Sequence, residues 1–126
     1  MFKADNPIMR CDYPDPDIIR VGDVYYMVST TMHFMPGCPV LKSYDLVNWE
    51  IVSYVYDTLE DNDAHTLQNG QNIYGKGMWA ACLRQHKGKY YVCFAANDTH
   101  KNYLFVTDDI EGKWERREIE GFYHDC

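Results

Sequence analysis

Residues 22–28 have the sequence Gly-Asp-Val-Tyr-Tyr-Met-Val, and a similar segment, Gly-Lys-Tyr-Tyr-Val, returns at residues 88–92. A glycine turn followed by β-branched and aromatic residues is typical of a β-hairpin. The two Tyr-Tyr pairs lie 65 residues apart, and the same interval separates Trp49 from Trp114, although the turn glycines are one residue out of step. The sequence therefore predicts two copies of one β-unit.

Each copy is predicted to contain four strands, because runs of apolar, β-branched and aromatic residues alternate with polar turns. The predicted strands are 17–20, 24–31, 40–43 and 50–55 in the first copy, and 80–84, 90–96, 103–107 and 115–119 in the second. A long polar connector, residues 57–78, separates the copies. Connectors of this length are usually functional or pack over a site.

Repeated four-stranded antiparallel units predict an all-β fold, a β-propeller, with two unrelated β-meanders as the alternative. The first blade would span about residues 15–56 and the second about 79–120, with the start of a third at 124–126. A propeller needs at least about four blades to close its ring. We therefore expect these 126 residues to be the N-terminal part of a single catalytic domain, or a chain that completes its ring by dimerising.

Asp15 lies between Pro14 and Pro16 at the entrance to the first predicted strand. A proline fixes its own φ and favours extended backbone at the residue before it, which predicts a stiff, extended Asp15. A carboxylate held rigidly suits acid/base chemistry, and a simple polar turn is the alternative. For Asp17, capping of the same turn is the favoured interpretation.

In a propeller the first strand of each blade lines the central channel. The three predicted blade entrances would bring Asp15, Trp79 and Asp125 to one pocket. Two carboxylates and a flat indole ring suit a sugar ligand, since the acids supply chemistry and the ring packs against a sugar face.

Composition and charge argue against several kinds of partner. The net charge of −7 is unfavourable for nucleic acid, and no apolar run is long enough to span a bilayer. Residues 1–7 show no signal-peptide pattern, and the five cysteines form no CxxC pair and no metal-ligand spacing. We therefore expect a cytoplasmic protein with reduced thiols, no cofactor and no nucleic-acid or membrane partner.

A set of short motifs resembles those of glycoside hydrolase family 43, in order along the whole chain. These are Asn6-Pro7-Ile8, Tyr13-Pro14-Asp15-Pro16-Asp17, Gly22-Asp23-Val24-Tyr25-Tyr26, Ser43-Tyr44-Asp45-Leu46-Val47-Asn48-Trp49, Gly77-Met78-Trp79-Ala80-Ala81, Gly88-Lys89-Tyr90-Tyr91 and Tyr123-His124-Asp125. The segment 79–81 departs slightly from the family's commoner Trp-Ala-Pro.

The resemblance implies a five-bladed propeller of the β-xylosidase, α-L-arabinofuranosidase and endo-arabinanase type. The loop 34–40 is similar to that of the exo-acting branch. By motif, Asp15 would be the general base, and Asp125 would tune the pKa of the general acid. Trp79 and Phe34 would form the wall of the first sugar subsite. His33 would contact sugar hydroxyls or lie on the surface.

The family's general acid, a Glu, and its axial His have no matching position in this chain. The resemblance implies an inverting hydrolase that removes terminal xylose or arabinofuranose from hemicellulose oligosaccharides, with a channel metal ion in the complete domain as an option. These residues alone would be inactive and prone to aggregation. A non-catalytic carbohydrate-binding propeller and a protein-interaction propeller are the alternatives.

Overall fold

The computed structural model describes residues 3–125, which form eight β-strands and no helix. The strands are β1 (Asp17–Val21), β2 (Val24–Val28), β3 (Gly37–Ser43), β4 (Glu50–Tyr56), β5 (Met78–His86), β6 (Lys89–Ala96), β7 (Lys101–Thr107) and β8 (Glu115–Arg117). The eight predicted strands are thus present in the predicted order. Within residues 3–125, no helix long and apolar enough to cross a membrane occurs.

The strands form two separate four-stranded antiparallel sheets, with orders β1-β2-β3-β4 and β5-β6-β7-β8. The predicted all-β class is confirmed, and each sheet is a simple up-and-down meander. Neither sheet closes on itself, so the number of blades stays a prediction. β2 is shorter than predicted and ends at Val28, because the next two residues hydrogen-bond to Pro14.

The offset between the two turn glycines has a structural explanation in the β-hairpins. In the first hairpin, β1 and β2 are joined by Gly22-Asp23, and Gly22 has a φ of 63°. In the second, Lys87-Gly88 joins β5 and β6, and both residues have positive φ, 49° and 76°. Glycine is favoured at the first position of a type II′ turn, whereas a type I′ turn needs positive φ at both positions. The two copies therefore use different tight turns for the same hairpin.

One continuous core joins the two sheets. Val28 and Val40 from the first sheet are fully buried, as are Leu83 and Phe94 from the second. The side chains of each strand alternate between faces, so the inner faces of both sheets are apolar. The remaining members of the core include Tyr56, Met78, Val92, Tyr103 and Phe105.

The connector, residues 57–77 in the structure, contains no strand and is anchored to the second sheet. The carboxylate of Glu60 accepts a 2.6 Å hydrogen bond from the Tyr103 hydroxyl and a 3.3 Å one from Arg116. Burial raises the pKa of Glu60, but these hydrogen bonds outweigh it and the net pKa is lowered. His65 lies with its Nε2 3.2 Å from Asp98 Oδ2, and both side chains are buried.

The two sheets meet at the end where β1 and β5 begin. Met32 in the loop after β2 forms an isolated bridge with Met78 at the start of β5. The Gly77 backbone approaches Met32 so closely that a Cβ at Gly77 would overlap the Met32 carbonyl. Gly77 also has a φ of 102°, a conformation that glycine adopts most readily. This contact fixes the entrance of β5 beside the loop that follows β2.

Candidate active site

Asp15 and Asp125 line the same open hollow, although 110 residues separate them in the sequence. This acidic hollow has a volume of about 290 Å³. Its other lining residues come from the entrance to β1 and from β5, namely Pro16, Asp17, Ala80, Ala81, Cys82 and Arg84. Both carboxylates are exposed, so a ligand in the acidic hollow can reach them.

The backbone at Asp15 differs from the predicted extended conformation. Its φ is 47°, although the following residue is a proline. Ala80, which lies 65 residues later in the second copy, has a φ of 35°, and Asp125 has a φ of 53°. Positive φ is uncommon for residues other than glycine, although Asp tolerates it better than most. All three therefore share a conformation that the surrounding structure has to hold in place.

The residues that hold Asp15 follow directly after β2. The Pro14 carbonyl accepts hydrogen bonds from the Ser29 hydroxyl at 2.6 Å and the Thr30 amide at 3.1 Å. The Thr30 hydroxyl donates to Asp15 Oδ2 at 3.0 Å. Both Ser29 and Thr30 are buried. Sequence reasoning missed them because it counted both in the second strand, although consecutive hydroxyl residues after an apolar strand were a visible cue.

Asp17 bridges the two sheets, so its interpretation as a turn cap was wrong. Its Oδ2 accepts hydrogen bonds from the Leu83 amide and from Arg84 Nη1, both at 2.7 Å. β5 is the edge strand of its sheet, which leaves amide groups on its outer side without a ladder partner. The Asp17 side chain takes the place of that partner and ties β5 to β1.

Trp79 does not line the acidic hollow. It lines an adjoining apolar hollow of about 120 Å³, the tryptophan hollow, together with Ala95, Asn97, His100, Phe122 and His124. Ala80, with its φ of 35°, lines the acidic hollow, whereas its neighbour Trp79 does not. A register irregularity between Trp79 and Cys82 accompanies this separation. The prediction of one pocket for Asp15, Trp79 and Asp125 is therefore corrected to two neighbouring hollows.

His124 connects these two hollows. Its ring lies edge-on to Trp79, with 6.2 Å between the ring centroids, and its Nδ1 is 3.1 Å from Asp125 Oδ2. The segment that carries them is held by Asn102, whose side-chain amide exchanges hydrogen bonds with the backbone N–H and C=O of Tyr123. Asn102 is buried and was not singled out from the sequence.

His33 and Phe34 line a third depression, the connector cleft, of about 520 Å³. The His33 ring lies between Phe34 and Tyr74, with ring centroids 4.4 and 4.8 Å away. The Gly75 amide donates a 3.3 Å hydrogen bond to His33 Nδ1. Phe34 is 66% exposed and Tyr74 is 81% exposed, so each ring keeps surface that a ligand can reach. The structure brings Phe34 together with His33, but not into a common hollow with Trp79.

The described residues offer no candidate metal centre. Within residues 3–125, no group of three or more His, Cys, Asp or Glu side chains is arranged to hold a metal ion. The acidic hollow can instead perform proton chemistry, since its exposed carboxylates can accept a proton from water. The exposed rings of Trp79, in the tryptophan hollow, and Phe34, in the connector cleft, can pack against flat, partly apolar ligand faces.

Comparisons with known proteins agree on one family. The family model described as glycosyl hydrolases family 43 matches residues 4–119. A β-xylosidase of Formosa agariphila is 39% identical over 111 residues, which cover 88% of this chain and 18% of that protein. A non-reducing end α-L-arabinofuranosidase of Bacteroides ovatus is 40% identical over 87 residues, covering 69% of this chain and 16% of that protein.

A solved structure gives the same result. A bifunctional GH43-CE protein of Bacteroides eggerthii superposes with a TM-score of 0.90 at 50% sequence identity. The superposition covers 97% of this chain and 16% of that protein. The chain thus spans less than a fifth of the length of each of these three relatives.

Proposed function

Because this chain belongs to glycosyl hydrolase family 43, we propose that the protein containing it is an exo-acting glycosidase that removes terminal xylose or arabinofuranose from plant hemicellulose oligosaccharides. The names of the relatives, β-xylosidase and α-L-arabinofuranosidase, support this substrate class. The observation that carries the proposal is the meeting of Asp15 and Asp125 in one open hollow. A hollow that only bound sugar would not need two carboxylates.

In this proposal Asp15 is the general base and Asp125 adjusts the pKa of the general acid. Trp79, Phe34 and His33 contact the sugar from the tryptophan hollow and the connector cleft. We assign the general acid to a Glu outside these 126 residues, because no Glu here occupies a matching motif. The remaining blades of a five-bladed propeller would complete the channel, and the 126 residues alone would then be inactive.

The proposed reaction is hydrolysis with inversion at the anomeric carbon. Asp15 takes a proton from a water molecule as that water attacks the anomeric carbon. The general acid protonates the leaving oxygen from the opposite face of the sugar. In inverting enzymes the two carboxyl groups stand about 6.5–9.5 Å apart, which leaves room for the water.

The test uses the intact protein with aryl xyloside and aryl arabinofuranoside substrates. Asp15→Asn should lower turnover roughly 100- to 10,000-fold, the range usual for a general base, while the protein stays folded. Asp12→Asn is the matched control, because Asp12 is an exposed carboxylate nearby that does not line the acidic hollow. Unchanged turnover in Asp15→Asn would refute the assignment of the base.

A carbohydrate-binding propeller without catalysis is distinguished in the same experiment. Such a protein would bind xylo- or arabino-oligosaccharides but release no sugar from either aryl glycoside. NMR of the first product formed reports the anomeric configuration, and release of the retained anomer would contradict the inverting mechanism.

A further inference from the structure

Thr30 occupies a buried position between the two sheets, next to Asp15. It follows β2 and is only 6% exposed. Its hydroxyl makes two hydrogen bonds, one with the Ala80 amide at 2.8 Å and one with Asp15 Oδ2 at 3.0 Å. Thr30 thus connects the entrance of the second sheet to the carboxylate proposed as the general base.

The chemistry of its partners fixes the direction of both hydrogen bonds. The Ala80 amide can only donate, so the Thr30 oxygen accepts there. The hydroxyl has one proton, which is then available for Asp15 Oδ2, and a carboxylate can only accept. The hydroxyl cannot rotate away from Asp15 without leaving one of these groups without its partner.

The segment that contains Thr30 also holds the main chain next to Asp15. The Thr30 amide and the Ser29 hydroxyl both donate to the Pro14 carbonyl. The backbone before Asp15 and one of its carboxylate oxygens are therefore fixed by two consecutive residues. Among the residues that the structure describes, only Oδ2 of Asp15 has a side-chain hydrogen-bond partner, and Asp15 lines the acidic hollow.

We propose that Thr30 is a positioning residue for the reaction, which holds Asp15 Oδ2 so that Oδ1 faces the attacking water. This role rests on the proposed function of Asp15 as general base. Thr30 acts through Asp15 and makes no contact with substrate. Its hydroxyl is thus needed for the orientation of the base, while its methyl group contributes only packing.

The experiment compares Thr30→Val, Thr30→Ser and Thr31→Val in the intact protein on an aryl glycoside substrate. Valine keeps the shape of threonine without its hydroxyl, and serine keeps the hydroxyl. Thr31 is the matched control, because its hydroxyl also accepts from a backbone amide, that of Cys38 at 3.1 Å, but does not contact Asp15. Thermal unfolding of each variant reports the structural cost separately.

We expect Thr30→Val to lower kcat about 10- to 100-fold with KM nearly unchanged, because misplacement of a catalytic group costs rate more than binding. Thr30→Ser should restore the rate to within about threefold of wild type. Thr31→Val should lower the melting temperature without lowering kcat. If Thr30→Val does not fold, Thr30→Ala replaces it and should lower kcat at least as much, because it also lacks the hydroxyl that holds Asp15 Oδ2; wild-type kcat in Thr30→Ala would equally overturn the proposal.

A double variant separates positioning from general damage. In the Asp15→Asn background, Thr30→Val should cause little further loss, because effects that pass through one residue are not additive. Equal losses in both backgrounds, or wild-type kcat in Thr30→Val, would overturn the proposal. Absence of hydrolysis by the wild-type protein would instead refute the proposed function, so the two failures are distinguishable.

Discussion

Removal of the Asp17 carboxylate tests whether one side chain couples the two sheets. Asp17→Ala deletes the acceptor of the Leu83 amide and of Arg84. A hydrogen bond to a charged group contributes about 1.5–3 kcal/mol. The ion pair adds up to about 1 kcal/mol, because the Arg84 side chain is 63% exposed and its charge is screened by solvent. The opening of β5 at this point should therefore become about 2–4 kcal/mol easier.

Hydrogen exchange at the Leu83 amide measures this quantity directly in the intact protein. Leu83 is fully buried in the protein and its amide donates to Asp17, so exchange at this amide reports whether that hydrogen bond is intact. A loss of 2–4 kcal/mol corresponds to exchange roughly 30- to 700-fold faster, since each 1.4 kcal/mol is a factor of ten. Asp17→Asn keeps an acceptor oxygen and loses only the charge, so its exchange should lie between those of wild type and Asp17→Ala.

Asp23→Ala is the control for loss of a surface carboxylate. Its partner is Arg20 in the same hairpin, and the Asp23 side chain is 99% exposed. Exchange at Leu83 should be unchanged in this variant. If Asp17→Ala also leaves the exchange of Leu83 unchanged, Asp17 does not couple the sheets and the structural interpretation fails.

Two further predictions concern the backbone near the site and the acid sensitivity of the fold. Gly77→Ala should destabilise the protein by about 1–3 kcal/mol, measured by urea unfolding, because the new Cβ meets the Met32 carbonyl and the backbone has a φ of 102°. Gly70→Ala should cost less, because Gly70 has a φ of 70° and a Cβ there would lie in open space. The pKa of Glu60 is lowered from its ordinary value of 4.5 in the folded protein, since the Tyr103 hydroxyl and other donors outweigh burial. Its contribution to stability is therefore full above about pH 4.5 and is lost as the pH falls below it, and Glu60→Gln should flatten this part of a stability-against-pH curve.

The fold was predictable because its main determinant is periodic along the chain. The 65-residue repeat of the Tyr-Tyr strand and of the tryptophan turn specifies two sheets of the same topology. Strand ends were less predictable, since β2 stops where Ser29 and Thr30 bond to Pro14 instead of continuing the ladder. That choice depends on a contact between residues about 15 positions apart, which local pattern does not contain.

Sequence patterns were enough to bring Asp15 and Asp125 together as candidate site residues, but not to predict the contacts that surround them. The proline-flanked motif and the predicted blade entrances led to Asp15 and Asp125, which do share a hollow. The bridge from Asp17 to Leu83 and the support from Thr30 are contacts between a side chain and a distant strand, and no spacing rule predicts them. The direction of the Trp79 side chain depends on the irregular start of β5, which the sequence does not reveal.

The positive φ shared by Asp15, Ala80 and Asp125 suggests how such a molecule acquires new chemistry. Asp15 and Ala80 occupy corresponding positions in the two copies and share this bend, which an aspartate adopts more readily than an alanine. Ala80 lines the same hollow as Asp15 and Asp125 but carries no acidic group. An enzyme assembled from duplicated sheets could recruit or retire an acid at this point by a single codon change while the surrounding architecture stayed intact.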